Sequence, residues 1–461
     1  MELEMKWMDQ INEEIKSNGP SIVDQREQWK KHCIYKIPSR VTELNKKAYK
    51  PQAISFGPYH YGEEHLKPME EHKHRALVHF LKRCEKPIEL LFQCMDQVVQ
   101  ELRDSYKPLD PIWILDTPKF LKMMILDGCF ILEILRANDC VPDDYDENDP
   151  VFGEHGKFYV MPYIKRDMLM LENQLPMIVL HTLIEVEIGT DHEEDHHESL
   201  NENIVKLLNP STPLIRSMGK CMHILDVYKK SLIQQGPTHP TRMPKATKRN
   251  WLSLEAGEPI IRSATELHEA GIRFKKSRTY WSLRDVSFDQ GVLRLPILVV
   301  DDTTEYMLLN LIAFERLHVG AGNEVTSFIF FMDTIIDNAM DVALLNRSEI
   351  IFNALGSDKV VAKLFNSLSK DITVDPNGVL DVVRMSMSDY CKKPWKRWRA
   401  NLIQTYFRNP WAIVSLVAAI FLFALTIVQT VYTIRQFYQN PSPSPTKSPV
   451  FPITPRPRHI P

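Results

Sequence analysis

Apolar residues recur at helical spacing through most of the chain, and two stretches are apolar almost all round. Residues 119–136, KFLKMMILDGCFILEILR, predict a helix buried inside a larger bundle. Their Lys122, Asp127 and Glu133 make a poor membrane span. Residues 166–188, RDMLMLENQLPMIVLHTLIEVEI, predict core again, with Pro176 at the first turn of a new helix or at a kink. Farther on, Ser263 reads as an N-cap, Gly271 as a helix stop and 272–274 as extended chain. LRDVSF, a turn at 289–291 and VLRLPILVV predict a hairpin, with Pro296 making one strand an edge or a bulge. Helices resume over 304–317, 327–345 and 358–368.

One segment departs sharply from this amphipathic pattern. From Trp411 through Ser415 and Ala419 to Ile434 the chain reads WAIVSLVAAIFLFALTIVQTVYTI without a charged residue. As a helix it reaches about 36 Å, enough to cross a hydrocarbon core of roughly 30 Å. Ser415 and Ala419 form a small-x-x-x-small pair that leaves room for a homo-oligomer. Before the span lie Lys392, Lys393, Lys396, Arg397, Arg399 and Arg408, with no acid from 391 to 410; after it, Arg435 and Lys447 are the only nearby cations. Basic flanks stay on the cytosolic side, so the large N-terminal part is expected in the cytosol, with the plasma membrane as the expected address. The first thirty residues hold no apolar run of signal-peptide length, which points the same way. Opened by Pro394, a helix bearing Trp395, Trp398, Leu402 and Tyr406 on one face would lie along lipid headgroups. Lys392, Lys393, Trp395, Lys396, Arg397, Trp398 and Arg399 are its lipid-facing residues. Packing of that face on the soluble part is the competing use.

The fold class is therefore mainly α: a large helical soluble region with a small β hairpin element, followed by one C-terminal transmembrane helix. Residues 189–203, GTDHEEDHHESLNEN, carry six acids and no lysine or arginine and are expected to form a solvated loop. Residues 234–259 hold a cluster of prolines and a basic run. The resulting organisation is a charged N-terminal segment over 1–33, a first helical half over 34–233, and a linker or long loop over 234–260. A second half with the β element follows over 261–390, then a basic amphipathic segment over 391–410, the span over 411–434 and a tail over 435–461. Eight prolines in the last 21 residues make that tail extended.

Composition changes this picture little. The chain has 461 residues, 44% hydrophobic and 25% charged, and a formal charge of −3. That is an ordinary globular mixture with no global attraction to nucleic acid, which is not expected as a partner. Cys33, Cys84, Cys94, Cys129, Cys140, Cys221 and Cys391 form no C-x-x-C pair and read as reduced thiols.

Several blocks occur in an order that resembles a known family. They are IYKIPSRV at 34–41, YKPQAISFGPYHYGEEHLKPMEEHK at 49–73, MMILDGCFILE at 123–133, DMLMLENQLP at 167–176, SATELHEAGIRFK at 263–275, LNLIAFERL at 309–317 and YFRNPWAIVSLVAA at 406–419. Together they resemble the plant family called domain of unknown function 247, labelled plant transmembrane proteins and UPF0481-like. The resemblance runs from about residue 34 to 432. It implies a mostly helical soluble part with a C-terminal membrane span; most members have no assigned biochemical role, and some grass members are implicated as pollen-side determinants of self-incompatibility.

Three constellations are candidates for chemistry. His192-Glu193-Glu194-Asp195-His196 satisfies H-E-x-x-H, the zinc-protease spacing, but lies in the acidic stretch without an apolar helix to hold it; His197 beside it permits adventitious metal binding. His60, His65, His72 and His74 sit near Glu64, Glu70 and Glu71, where a turn before a helix explains the block better than a metal site. Carboxylates inside apolar helices need a partner or a shifted pKa. Asp127 and Glu172 qualify, and with Glu133, Asp167 and Asn173 they form an expected structural polar cluster, with Lys73 and Arg103 as candidate partners. Neither a catalytic residue nor a metal or other cofactor is expected. The expected function is that of a single-pass membrane protein that meets lipids and unknown protein partners in interaction, signalling or recognition. The alternatives are a membrane-tethered enzyme using the buried carboxylates and a cell-recognition protein with an extracellular large domain. The sequon Asn346-Arg347-Ser348 would be glycosylated only in the last case.

Overall fold

A computed structural model of the chain describes residues 31–43, 45–138, 142–189, 193–213, 217–234, 263–279, 281–370, 378–392 and 410–439, with 7–8, 11–13 and 29. It divides into two units, Met1–Lys393 and Pro394–Pro461. In the first unit, β1 (Ile34–Tyr35) precedes a stretch of turns, after which come α1 (Pro68–Cys84), α2 (Ile88–Gln97), β2 (Tyr106–Lys107) and α3 (Thr117–Arg136). β1 pairs with β2 in parallel. Asp116 starts α3: its carboxylate accepts the Lys119 N–H at 3.0 Å, and a proline occupies the first turn, where its missing N–H costs nothing. From Phe120 to Ile134 nearly every side chain of α3 is buried, so this helix is the axis of the first half.

Pro176 stands immediately before α4 (Met177–Ile188), separated by a polar turn from the short helix Met161–Asp167. A Cβ on Gly128 would come within 2.6 Å of Leu183 and 2.8 Å of Val179, so glycine is what lets α3 and α4 approach this closely. The acidic stretch is not the loop its composition suggests. Most of it belongs to α5 (Glu193–Leu208). Leu200, Ile204, Val205 and Leu207 then bury its far end in the core. α6 (Ile224–Ile233) follows.

The second half opens with the helix Ala264–Glu269, whose N-cap Ser263 accepts from the Glu266 N–H. β3 (Arg273–Lys276), β4 (Ser287–Asp289) and β5 (Val292–Leu295) form a sheet with β5 central, antiparallel to β4 and parallel to β3. Gln290 and Gly291 both have positive φ, 47° and 81°, the requirement of a two-residue hairpin turn. Past Pro296 the chain leaves that sheet: β6 (Leu298–Val300) pairs instead with β7 (Ile351–Asn353). Between those strands run α7 (Thr304–Leu317), α8 (Glu324–Ile335) and α9 (Ala339–Arg347). The periodicity over 327–345 reads as one helix, but Asn338 takes an extended conformation and shares a capping box with Asp341, which ends α8 and starts α9. α10 (Asp358–Leu368) and α11 (Val379–Lys392) complete the unit.

The two halves are bonded across the 234–260 interval, most of which lies outside the described residues. Asn310 on α7 accepts the Leu171 N–H at 2.9 Å and donates to the Ala48 carbonyl at 2.8 Å. Lys229 on α6, buried, pairs with Glu315 at 3.0 Å and Glu324 at 3.1 Å.

The second unit contains α12 (Pro410–Gln439), 30 residues and therefore about 45 Å long. Its Val414–Gln439 portion is long and apolar enough to cross a membrane, and no part of it is buried within the protein. The helix runs five residues past Ile434. Thr426, Thr430 and Thr433 donate to carbonyls one turn back, at 2.7 to 2.8 Å, so their hydroxyls are satisfied within the helix. The side chain of Trp411 and residues 393–409, including Lys393, Trp395, Lys396, Arg397, Trp398 and Arg399, lie outside the described residues.

His223, at the start of α6, is fully buried; Nδ1 accepts the Asp226 N–H and Nε2 donates to the Cys33 carbonyl at 3.1 Å. Burial pushes its pKa down to about 4, against about 6.5 in the unfolded chain. Its neutral form therefore stabilises the fold above pH 6.5, and that contribution, up to about 3 kcal/mol, is lost as pH falls toward 4. Urea unfolding at pH 7 and pH 5 is expected to show a smaller acid loss for His223→Asn than for the wild type; equal losses contradict the assignment.

Candidate functional site

Residues 51–57 cross the first half without helix or strand, and most of them are buried. Buried backbone polar groups need partners, and here side chains supply them. Asp167 Oδ2 accepts the N–H groups of Gln52, Ala53 and Ile54 at 2.9, 2.6 and 3.1 Å. Asn173 Oδ1 accepts from Phe56 N at 2.7 Å, while its Nδ2 donates to the carbonyls of Ile54 and Asp167. Asp127 Oδ2 accepts from Gly57 N at 2.8 Å. Gly57 has a φ of +73°, and a Cβ there would meet Gln174 O and Tyr106 OH at 2.8 Å, so the close approach is open to glycine alone.

Asp127 also carries the central ion pair. Its Oδ1 lies 2.7 Å from Nζ of Lys73, a lysine with no exposed surface, which donates further to Ser55 O and Glu70, each at 2.6 Å. Burial pushes the Asp127 carboxyl up to about 6, against the opposing pull of Lys73 and the Gly57 N–H. Burial also lifts Asp167 to about 6, opposed by its three backbone donors. For Lys73, burial works to lower the pKa, but Asp127 and Glu70 outweigh it and the ammonium is favoured.

Two further carboxylates act nearby in other places. Glu172 Oε1 accepts the Ile37 N–H at 2.6 Å, and its Oε2 lies 3.5 Å from Nε2 of His60, whose Nδ1 meets Glu63 at 2.7 Å. Burial opposes the charged form of His60, but Glu172 and Glu63 outweigh it and raise its pKa. Glu133, fully buried, is held by Arg83 at 2.5 Å, Arg136 at 2.7 Å and the Tyr145 hydroxyl at 3.1 Å.

Of the five polar residues singled out in the sequence, Asp127, Asp167 and Asn173 converge on the 51–57 segment, Glu172 anchors the chain after β1, and Glu133 forms a separate cluster. Arg103 joins none of them; it donates to Trp113 O, Ile114 O and Thr117 Oγ1. Asn310, Arg83 and Arg136 escaped the sequence reading. A lone amide in the apolar run LNLIAF was the available signal for Asn310. His65 Nε2 donates to the Pro51 carbonyl at 3.1 Å, while His72 faces Arg75 at 3.0 Å. Among the described residues no group of three or more His, Cys, Asp or Glu side chains is placed to hold a metal ion. Ser415, Ala419 and Ile434 are exposed along α12, and Lys392 is exposed at the end of α11.

Both oxygens of Asp127 and the shared oxygen of Asp167 are thus committed to lysine and backbone donors, an arrangement that ties the 51–57 segment to α1, α3 and the Met161–Asp167 helix. The family model described as plant protein of unknown function, DUF247, matches residues 34–425. The chain belongs to this family. Its similarity to the UPF0481 protein At3g47200 of Arabidopsis thaliana is 29% identity over 426 residues, covering 88% of this chain and 87% of that protein. To the UPF0481 protein At3g02645, also of Arabidopsis thaliana, it is 22% identical over 483 residues, covering 86% and 89%. No solved structure matches. The family match runs unbroken across the 234–260 interval and into α12.

Breaking a buried ion pair by removing one partner costs about 3 to 5 kcal/mol, because the other charge is stranded. Lys73→Met is expected to destabilise the protein by that amount in urea unfolding. Adding Asp127→Asn is expected to cost much less than it does in the wild type, giving a coupling above about 1 kcal/mol. Additive losses would show that the pair does not couple these helices.

Proposed function

We propose that this DUF247 family member is a single-span membrane protein whose helical unit, Met1–Lys393, serves as a cytosolic platform for protein partners and performs no catalysis of its own. The observation that carries the reading is α12: an apolar helix whose described side chains from Val414 onward have no protein shell needs lipid around it. The basic residues from Lys392 to Arg399 favour a cytosolic N-terminal unit and an anionic leaflet such as that of the plasma membrane. The platform role is favoured because the buried carboxylates are used to hold the fold, leaving surface recognition as the remaining task.

Alkaline carbonate extraction of membranes carrying the intact chain is expected to leave it in the pellet and detergent to release it, while deletion of 410–439 frees it into the supernatant. Protease added to sealed cells should spare the N-terminal unit. Intact chain in the carbonate supernatant overturns the anchor, and digestion of the unit from outside, or a glycan on Asn346, overturns the orientation.

A further inference from the structure

β3 lies at the edge of its sheet, with β5 between it and β4. The Arg273 N–H donates to Gly291 O at 2.8 Å and the Ser277 N–H to Leu295 O at 2.7 Å. In a parallel ladder alternate residues turn both backbone groups the same way, so Phe274 and Lys276 turn theirs away from β5. Nothing among the described residues bonds to these outward N–H and C=O groups. The edge is a free template for one more strand.

The two faces of this sheet differ in charge. Phe274 and Leu293, paired in register, are buried on one face. On the other, the exposed Arg273 and Lys275 stand beside Val292 and Arg294 of β5. Ser287 of β4 continues the row of Lys275 and Arg294, while Asp289, the one acid in the three strands, lies in the next row, opposite Val292. Lys275 and Arg294 are therefore like charges directly opposite each other, which works against the sheet. None of Arg273, Lys275 and Arg294 makes an ion pair among the described residues, whereas Lys276, whose side chain leaves by the other face, reaches Glu349 at 2.5 Å. Lysine on an edge strand is by itself a guard against edge-to-edge aggregation. Arg294 is in the central strand, where that guard has no use.

We propose that β3 receives an extended acidic segment of a partner protein, which adds to the sheet as a fourth strand. Main-chain hydrogen bonds to Phe274 and Lys276 hold it, and acids at alternate positions meet Arg273 and Lys275, with Arg294 behind them. The pleat fixes that spacing, since side chains two residues apart, about 6.6 Å, share a face. An anionic leaflet attracts the same cations but brings no backbone ladder to the edge, so the free edge favours a peptide. The inference rests on the platform reading above and deepens it by naming one surface and the chemistry of its partner.

The test uses the full chain in nanodiscs of zwitterionic lipid and a fluorescent peptide of alternating glutamate and threonine. Saturable binding is expected, with slower hydrogen exchange at the amides of Phe274 and Lys276. Lys275→Glu and Arg294→Gln should each weaken it at least fivefold, and Lys82→Gln, an exposed charge on α1, should leave it unchanged. The same peptide with its amide nitrogens methylated keeps the charge and loses the donors, and should bind at least fivefold more weakly. Equal binding of the methylated peptide, or binding without protection of the two amides, would reduce the face to diffuse positive charge and overturn the proposal, as does absence of binding. The amide measurement is made on the wild type and decides even where a variant fails to fold. Shielding of Lys275 from an amine-reactive reagent when phosphatidylserine enters the nanodiscs, with no peptide present, would make lipid the occupant and also overturns it. None of these outcomes alters the carbonate extraction, so failure here is told apart from failure of the membrane anchor.

Discussion

Seven residues of irregular backbone, 51–57, pass through the interior of the first half, and the hydrogen bonds that satisfy them organise what surrounds them. A buried N–H left unpaired costs about 1 to 3 kcal/mol, so the five donors taken up by Asp127, Asp167 and Asn173 represent a constraint on the same scale as the protein's whole stability. The acceptors come from three places in the chain. Lys73 links them to α1, neutralises Asp127 and caps Ser55 O. Asp127 and Asp167 are thus explained by the backbone they face, whereas Glu133 is held by Arg83, Arg136 and Tyr145.

That logic sets what was legible in the sequence. The burial of α3, the hairpin at 289–291 and the apolar terminal helix follow from local pattern, because hydrophobic period and turn chemistry are local. A charge inside an apolar run announces that a partner exists, which is why Asp127 and Glu172 stood out. The partner's identity is set by tertiary contact and is invisible locally: Arg103 looked as suitable as Lys73 yet bonds to carbonyls near α3's start. The acidic stretch misled for a related reason. Its composition alone suggests a loop, whereas Leu200 within it and Ile204 and Val205 just beyond decide that the segment docks as a helix.

The second half is joined to the first by polar contacts that include those of Asn310, Lys229 and His318. Asn310 and Lys229 reach across the 234–260 interval in sequence, and Asn310 donates also to Tyr306 O one turn back in its own helix. The DUF247 match, continuous from 34 to 425, treats both halves and the approach to the apolar helix as one inherited unit. A helical body fastened by buried polar clamps, and an apolar helix long enough to cross a membrane, make up the described architecture of this chain.

The central claim is that side-chain clamps, rather than regular secondary structure, hold the 51–57 backbone. Native-state hydrogen exchange of the amides of Gln52, Ala53, Ile54, Phe56 and Gly57 tests it most directly. Exchange as slow as that of the α3 core, and accelerated only by global unfolding, is the predicted result. Exchange at the rate of an exposed loop, with α3 still protected, would contradict it.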